Sequence, residues 1–104
     1  MNSVQETSDV SKTFIKERYY VYVLFSQKDH GLYIGYTTDL KNRLTLHAKR
    51  QVTATRNRTP VLLIHYEYFI NRADAKAREK YLKSGYGRDQ FYQIAKQTLK
   101  HLSD

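Results

Sequence analysis

The sequence predicts an α+β domain, with a small three-stranded, mostly antiparallel sheet flanked by helices in the order β-β-α-β-α-α. Segments rich in β-branched and aromatic residues indicate strands over 19–25, 32–36 and 61–69. The polar turn over 26–31 is too short for a parallel crossover, so the first two strands form a hairpin. Between and after the strands, apolar side chains recur at the spacing typical of helices.

Capping residues mark the starts of two helices. The cluster Thr37-Thr38-Asp39 offers side-chain oxygens that cap a helix over 39–50. Asn71 or Asp74 begins a second helix that runs to about residue 83. The first helix therefore follows the hairpin directly, and the second follows the third strand.

A third helix is expected over 88–99, after Gly85, which we predict to end the second helix in the left-handed conformation. One apolar face supports it, formed by Phe91, Ile94, Ala95 and Leu99. The polar residues 1–17 are expected to form a disordered or frayed tail. The folded domain then covers 18–104.

Composition restricts the class of protein. A chain of 104 residues is long enough for one core and too short for two. The absence of Cys excludes disulfide scaffolds, Cys-ligated zinc and Cys nucleophiles. No apolar run approaches the ~20 residues that span a bilayer, and the first residues do not resemble a signal peptide. We therefore expect a cytoplasmic protein.

Charge points to a polyanionic partner. Lys and Arg total 18 against 10 Asp and Glu, and the net charge of +8 creates a field that attracts nucleic acid. The segment 41–58 contains cations and no acid, with Thr55 among its neutral donors for phosphate. A solvated basic surface is the alternative. The predicted nucleic-acid-binding residues are Lys41, Lys49, Arg50, Arg56 and Arg58.

Two pairs of side chains suggest a site. If the hairpin is centred between residues 27 and 28, Tyr22 lies opposite Tyr33 on one face of the sheet. On the first helix, Arg43 and His47 are four residues apart and share a face. These could equally be ordinary strand tyrosines, and a partly buried arginine beside a satisfied histidine.

A carboxylate on the second helix completes the set. Ala75, Glu79 and Leu82 fall on one stripe, so Glu79 has apolar neighbours and needs a cation or a metal as partner. A salt bridge with Lys83 or Lys76 is the alternative. Carboxylate, guanidinium and phenols are together the groups that phosphodiester hydrolysis requires.

The sequence resembles the GIY-YIG nuclease superfamily, in particular its small single-domain bacterial branch. The first half of the family motif corresponds to Tyr20-Val21-Tyr22 and the second to Tyr33-Ile34-Gly35. Arg43 and His47 follow as in the family, and 75–85 resembles the branch's later conserved block. The resemblance covers about 19–92, which is nearly all of the predicted domain, and it extends to the nuclease domain of the excision-repair incision subunit.

The resemblance implies a metal-dependent endonuclease that hydrolyses phosphodiester bonds in DNA, in repair or recombination. Tyr22 would take a proton from the attacking water, and Tyr33 would orient that water or share the proton. Arg43 would neutralise charge on the phosphate, and His47 would relay a proton or hold Tyr22. Glu79 would bind Mg²⁺ or Mn²⁺.

Three alternatives stay open. The chain could be a nuclease fold that binds DNA or RNA without cutting it, a protein that cleaves RNA, or a nuclease whose activity is weak or depends on a partner. A protein partner or a second copy of the chain could supply specificity, since no separate DNA-reading domain fits in 104 residues. Because a free tyrosine has a pKa of ~10, any activity is expected to rise toward alkaline pH.

Overall fold

Three strands and four helices make up the computed structural model, which describes Thr13 and residues 16–104. Most of the tail predicted over 1–17 lies outside the described residues. The strands are β1 (Tyr19–Ser26), β2 (Leu32–Thr37) and β3 (Val61–Phe69). The helices are α1 (Leu40–Ala48), α2 (Arg72–Lys83), α3 (Gly85–Ile94) and α4 (Lys96–Ser103).

The sheet has the order β2-β1-β3, and both strand pairs are antiparallel. The predicted α+β class and strand positions are therefore confirmed. The hairpin register differs by two residues from the prediction, since Tyr22 pairs with Gly35 and Tyr33 pairs with Leu24. The reason is the turn, which is centred one residue later than expected, where His30 N–H donates to the Ser26 carbonyl.

Alternation along the strands separates two faces of the sheet. The helix face carries Val21, Val23 and Phe25, which are buried in one core with α2 and α3. The opposite face, here called the tyrosine face, carries tyrosines from all three strands and packs against α1 and the loop after it. These tyrosines are Tyr20, Tyr22, Tyr33, Tyr66 and Tyr68.

The capping predictions are correct and two helix predictions are wrong. Asp39 caps α1 by accepting from Asn42 N–H, and Asn71 caps α2 by accepting from Ala73 N–H. Gly85 does not end α2 in the left-handed conformation. It begins α3, because the Ser84 hydroxyl accepts from a backbone N–H of that helix and turns the chain.

The single helix predicted over 88–99 is divided at Ala95 into α3 and α4. The division turns Leu99 and Leu102 toward the core, while Ile94 is 62% exposed and does not lie on the predicted apolar face. Tertiary packing of α4 thus outweighs a continuous helical pattern. None of the helices in residues 16–104 has the length and apolarity needed to cross a membrane.

Candidate active site

A chain of three buried side chains lies behind the tyrosine face. The Tyr22 hydroxyl is 2.8 Å from His47 Nε2, and His47 Nδ1 is 2.7 Å from Thr55 Oγ1. All three residues are at most 1% exposed. Strand β1, helix α1 and the following loop each supply one member. The chain therefore ties together segments that are far apart in the sequence.

The environment sets the protonation of this chain. Burial, and then the charge of Arg43, lower the pKa of His47 to about 4, so the imidazole is neutral at pH 7. Burial raises the pKa of Tyr22 to about 12, although Arg43 acts in the opposite direction. A protonated phenol donates to a neutral imidazole, so Nε2 accepts and Nδ1–H donates to Thr55. Thr55 thereby selects the tautomer that accepts from Tyr22.

Arg43 and Tyr33 lie at the more open side of this chain. With Tyr22 and His47 they form a group of four side chains, here called the cluster. The Tyr33 ring lies 6.2 Å from the Tyr22 ring and 5.2 Å from the His47 ring, measured between centroids. The Arg43 guanidinium interacts with both phenols, and its contact with Tyr22 raises the pKa of Arg43. Its Nε is the only buried side-chain nitrogen or oxygen in the described part of the chain without a hydrogen-bond partner. An unpaired buried donor costs about 1–3 kcal/mol, and a catalytic role is among the reasons that a folded protein retains one.

Gly35 provides the space that Tyr22 occupies. The two residues pair across the hairpin, and a Cβ built on Gly35 would overlap the Tyr22 ring and hydroxyl. The glycine of the Tyr33-Ile34-Gly35 motif thus leaves room for Tyr22, the tyrosine of the other half-motif. Its role is close approach, since the glycines of residues 16–104 have no positive φ.

Gly35→Ala is expected to destabilise the domain by about 1–3 kcal/mol, because the Tyr22 ring must move and lose its bond to His47. Denaturant unfolding measures the effect. Gly85→Ala is the control, since a Cβ there meets nothing within 4 Å. Equal stability of the two variants would contradict the packing described.

Acidification is expected to destabilise the domain through His47. The pKa of His47 is 6.5 in the unfolded chain and about 4 in the folded chain. Its contribution to the free energy of unfolding is therefore present above pH 6.5 and is lost as the pH falls toward 4. Between pH 7 and pH 5 the loss is about 2 kcal/mol. Denaturant unfolding at both pH values should show this loss for the parent and for the exposed control His101→Gln. His47→Gln should lose most of the difference, and an unchanged difference would exclude His47 as its source.

Glu79 has no hydrogen-bond partner from this cluster among the described residues. Its two oxygens accept from Lys76 at 3.1 Å and from Lys83 at 3.0 Å, in agreement with the salt-bridge alternative. Burial raises the pKa of Glu79, but the two ammonium groups outweigh it and the pKa is lowered. Glu79 is therefore ionised at neutral pH, and its side chain is 13% exposed.

The position of α2 shows where this carboxylate lies. Arg78 binds Glu67 on β3, whereas Lys76 lies 4.4 Å from the ring of Tyr36 on β2. Helical spacing puts Glu79 on the Lys76 side of α2, toward β2. Since β2 is an edge strand, Glu79 and Tyr33 flank the same sheet edge from opposite faces. The five predicted catalytic residues thus divide into a cluster of four and one carboxylate across the edge.

A metal at this edge would depend on one carboxylate. No group of three or more His, Cys, Asp or Glu that could hold a metal occurs within the described residues. A single ionised carboxylate fits Mg²⁺ or Mn²⁺, which keep several waters and accept substrate phosphate oxygens. Lys76 and Lys83 are about half exposed and can leave the carboxylate.

The predicted nucleic-acid-binding residues have different environments. Lys41, Lys49 and Arg56 are exposed, and Arg50 is exposed with Nε donating to the Arg56 carbonyl. Arg58 makes a bidentate pair with Asp29 at 2.6 and 3.1 Å. These two hydrogen bonds hold the loop after α1 against the hairpin turn.

Thr55 is the site residue that sequence analysis misassigned. The sequence predicts a phosphate donor on an exposed loop, but Thr55 is fully buried against His47. Nothing in its local sequence distinguishes it from the exposed Thr53. Only the path of the loop shows which hydroxyl points inward.

Comparison with known proteins identifies relatives and a family for this chain. A UPF0213 protein of Haloquadratum walsbyi is 40% identical over 84 residues, covering 80% of this chain and 92% of the relative. UPF0213 proteins of Clostridium perfringens and Natronomonas pharaonis are 42% and 46% identical, over 62% and 64% of this chain and 69% and 78% of their own. No solved structure matches significantly. The family model of the GIY-YIG catalytic domain matches residues 18–93, a range that contains all four residues of the cluster. The chain therefore belongs to the GIY-YIG family.

Proposed function

We propose that the protein is a metal-dependent endonuclease that hydrolyses phosphodiester bonds in DNA. The observation that supports this most is the cluster of Tyr22, Tyr33, Arg43 and His47 on one face of the sheet. It combines proton-handling groups with a guanidinium whose Nε lacks a partner. Hydrolysis of a phosphodiester needs both, because the attacking water must lose a proton while negative charge develops on phosphate oxygens.

The residues divide the work as follows. Tyr33, which is partly exposed, orients the water, and the phenolate form of Tyr22 behind it takes up the proton. His47 holds the Tyr22 hydroxyl, and Thr55 holds His47. Arg43 binds the scissile phosphate and favours the phenolate of Tyr22. Glu79 would hold Mg²⁺ or Mn²⁺, which supplies Lewis-acid stabilisation of the phosphate.

The exposed cations flanking and following Arg43 would guide the DNA backbone to this site. Lys41, Lys49, Arg50 and Arg56 have side chains available to phosphates. The residues from 40 to 66 also lack Asp and Glu, so no acid in that range repels the backbone. Replacing any one of these cations with a neutral residue should lower the salt dependence of binding by about one unit.

A nuclease fold that binds nucleic acid without cutting it is the second candidate. The observation in its favour is the double lysine pairing of Glu79, which neutralises the proposed metal ligand. Two further possibilities are examined in the same test. One is RNA as the substrate, and the other is a protein partner or dimer that supplies specificity.

The test incubates the purified protein with supercoiled plasmid, branched DNA and RNA, in Mg²⁺, Mn²⁺ or chelator. Metal-dependent cutting of DNA is the expected result. Gel retardation without cutting in any metal would support the binding module instead. Cutting of RNA alone would overturn the DNA assignment.

A further inference from the structure

An open cleft of about 490 Å³ lies on the tyrosine face beside the cluster. Its lining includes Tyr20 and Tyr66 from the sheet and Leu40, Lys41 and Leu44 from α1. Tyr66 pairs with Tyr22 across β1 and β3, so the cleft adjoins the candidate active site. Its size is within the range of small-ligand sites.

Tyr66 in this cleft and Tyr68 beside it have exposed rings that lie outside the core. Tyr66 is 52% exposed and Tyr68 is 50% exposed, while the core lies on the helix face. The Tyr20 ring lies 6.1 Å from Tyr66 and 6.2 Å from Tyr68, which holds the exposed rings in position. Exposed, positioned rings beside cations are the arrangement on which nucleobases stack.

The cleft also combines the positive charge of Lys41, which suits the phosphate of a nucleotide, with apolar lining residues. Lys41 can reach a phosphate that flanks a base seated between Tyr66 and Leu44. Asp39 also lines the cleft, but one of its carboxylate oxygens is used in capping α1. A base in a duplex is covered on both faces by its neighbours, so only an unpaired base can stack here.

We propose that this cleft binds one unpaired nucleobase of the DNA strand next to the phosphate being cut, with Tyr66 as the stacking surface. This inference rests on the proposed function for the position of the cut, and it narrows the substrate to DNA with an unpaired nucleotide at that position.

Binding is measured in chelator by fluorescence anisotropy, with a labelled oligothymidylate and a duplex of equal length. Tyr66→Ala is expected to weaken single-strand binding roughly 5- to 150-fold and to leave duplex binding unchanged. Tyr66→Phe should retain the affinity, because the ring is kept. Tyr86→Ala is the matched control, since Tyr86 is 87% exposed on α3 and outside the cleft.

The salt dependence separates stacking from charge. Tyr66→Ala should leave the salt slope unchanged, whereas Lys41→Gln should lower it by about 0.7 for a single strand. Equal losses of affinity for Tyr66→Ala and Tyr86→Ala, or unchanged single-strand binding by Tyr66→Ala, would overturn the proposal.

Because chelator prevents cutting, this test is separate from that of the nuclease. Metal-dependent cutting of fully paired DNA at the same rate as of a strand with an unpaired base would contradict the cleft proposal alone. Single-strand binding through Tyr66 by a protein that cuts nothing would contradict the nuclease proposal alone.

Discussion

Tyr22→Phe is expected to lower the rate of metal-dependent DNA cleavage by about 10²- to 10⁴-fold, because the hydroxyl proposed to take the proton is removed. DNA binding in chelator should change little, since Tyr22 is fully buried and the exposed cations are unaltered. Single-turnover cleavage of a labelled oligonucleotide measures the rate. Tyr86→Phe removes a hydroxyl from an exposed ring on α3 and is the control.

The parent protein should show a matching pH dependence of cleavage. Because burial raises the pKa of Tyr22 to about 12, the phenolate fraction increases with pH throughout the range in which DNA is stable. The cleavage rate should therefore rise by up to about tenfold per pH unit.

The Tyr22→Phe variant leaves His47 Nε2 without its partner, so the folding of this variant is verified by thermal unfolding. A folded variant that cuts at the parent's rate would exclude Tyr22 as the base.

Glu79→Gln is expected to abolish metal-dependent cleavage while the domain stays folded. The substitution keeps the shape of the side chain and removes the charge that a divalent cation requires. Loss of the pairs to Lys76 and Lys83 should cost about 1 kcal/mol or less, since both lysines are about half exposed. Cleavage is measured after chelator treatment and restoration of Mg²⁺.

Asp74→Asn is the control for Glu79, because it removes an exposed carboxylate from the first turn of the same helix. The control should cut at the parent's rate in Mg²⁺ and in Mn²⁺. Full activity of Glu79→Gln under these conditions would assign the metal to other groups. A further titration of Mn²⁺ should show weaker binding by Glu79→Gln than by Asp74→Asn.

Local patterns predicted the elements that depend on local physics. Alternation and β-branched content located β3 at the observed residues 61–69. Asp39 and Asn71 cap helices because a side-chain oxygen binds an N–H only two or three residues away. The salt bridges of Glu79 are of the same kind, since Lys76 and Lys83 lie within about one turn of it on α2. Such pairings follow from sequence spacing alone.

Contacts between distant segments could not be predicted in this way. The placement of the hairpin turn decided that Tyr22 faces Gly35, and a shift of one residue at its centre changes every partner. Ser84 capping α3 decided the role of Gly85, although a helix followed by glycine is typical of a left-handed terminator. Packing of α4 on the core divided a helical pattern that is continuous in the sequence.

By itself, the sequence determined the α+β architecture, the family motif and the identity of the candidate catalytic residues. The tertiary structure alone decided that Thr55 orients His47, that Glu79 lies on the other face of the sheet beside β2, and that an aromatic cleft adjoins the cluster. The physical reason is the separation along the sequence over which each kind of interaction acts. Periodicity and capping act within a few residues, whereas burial and protonation depend on which side chains the folded chain brings together.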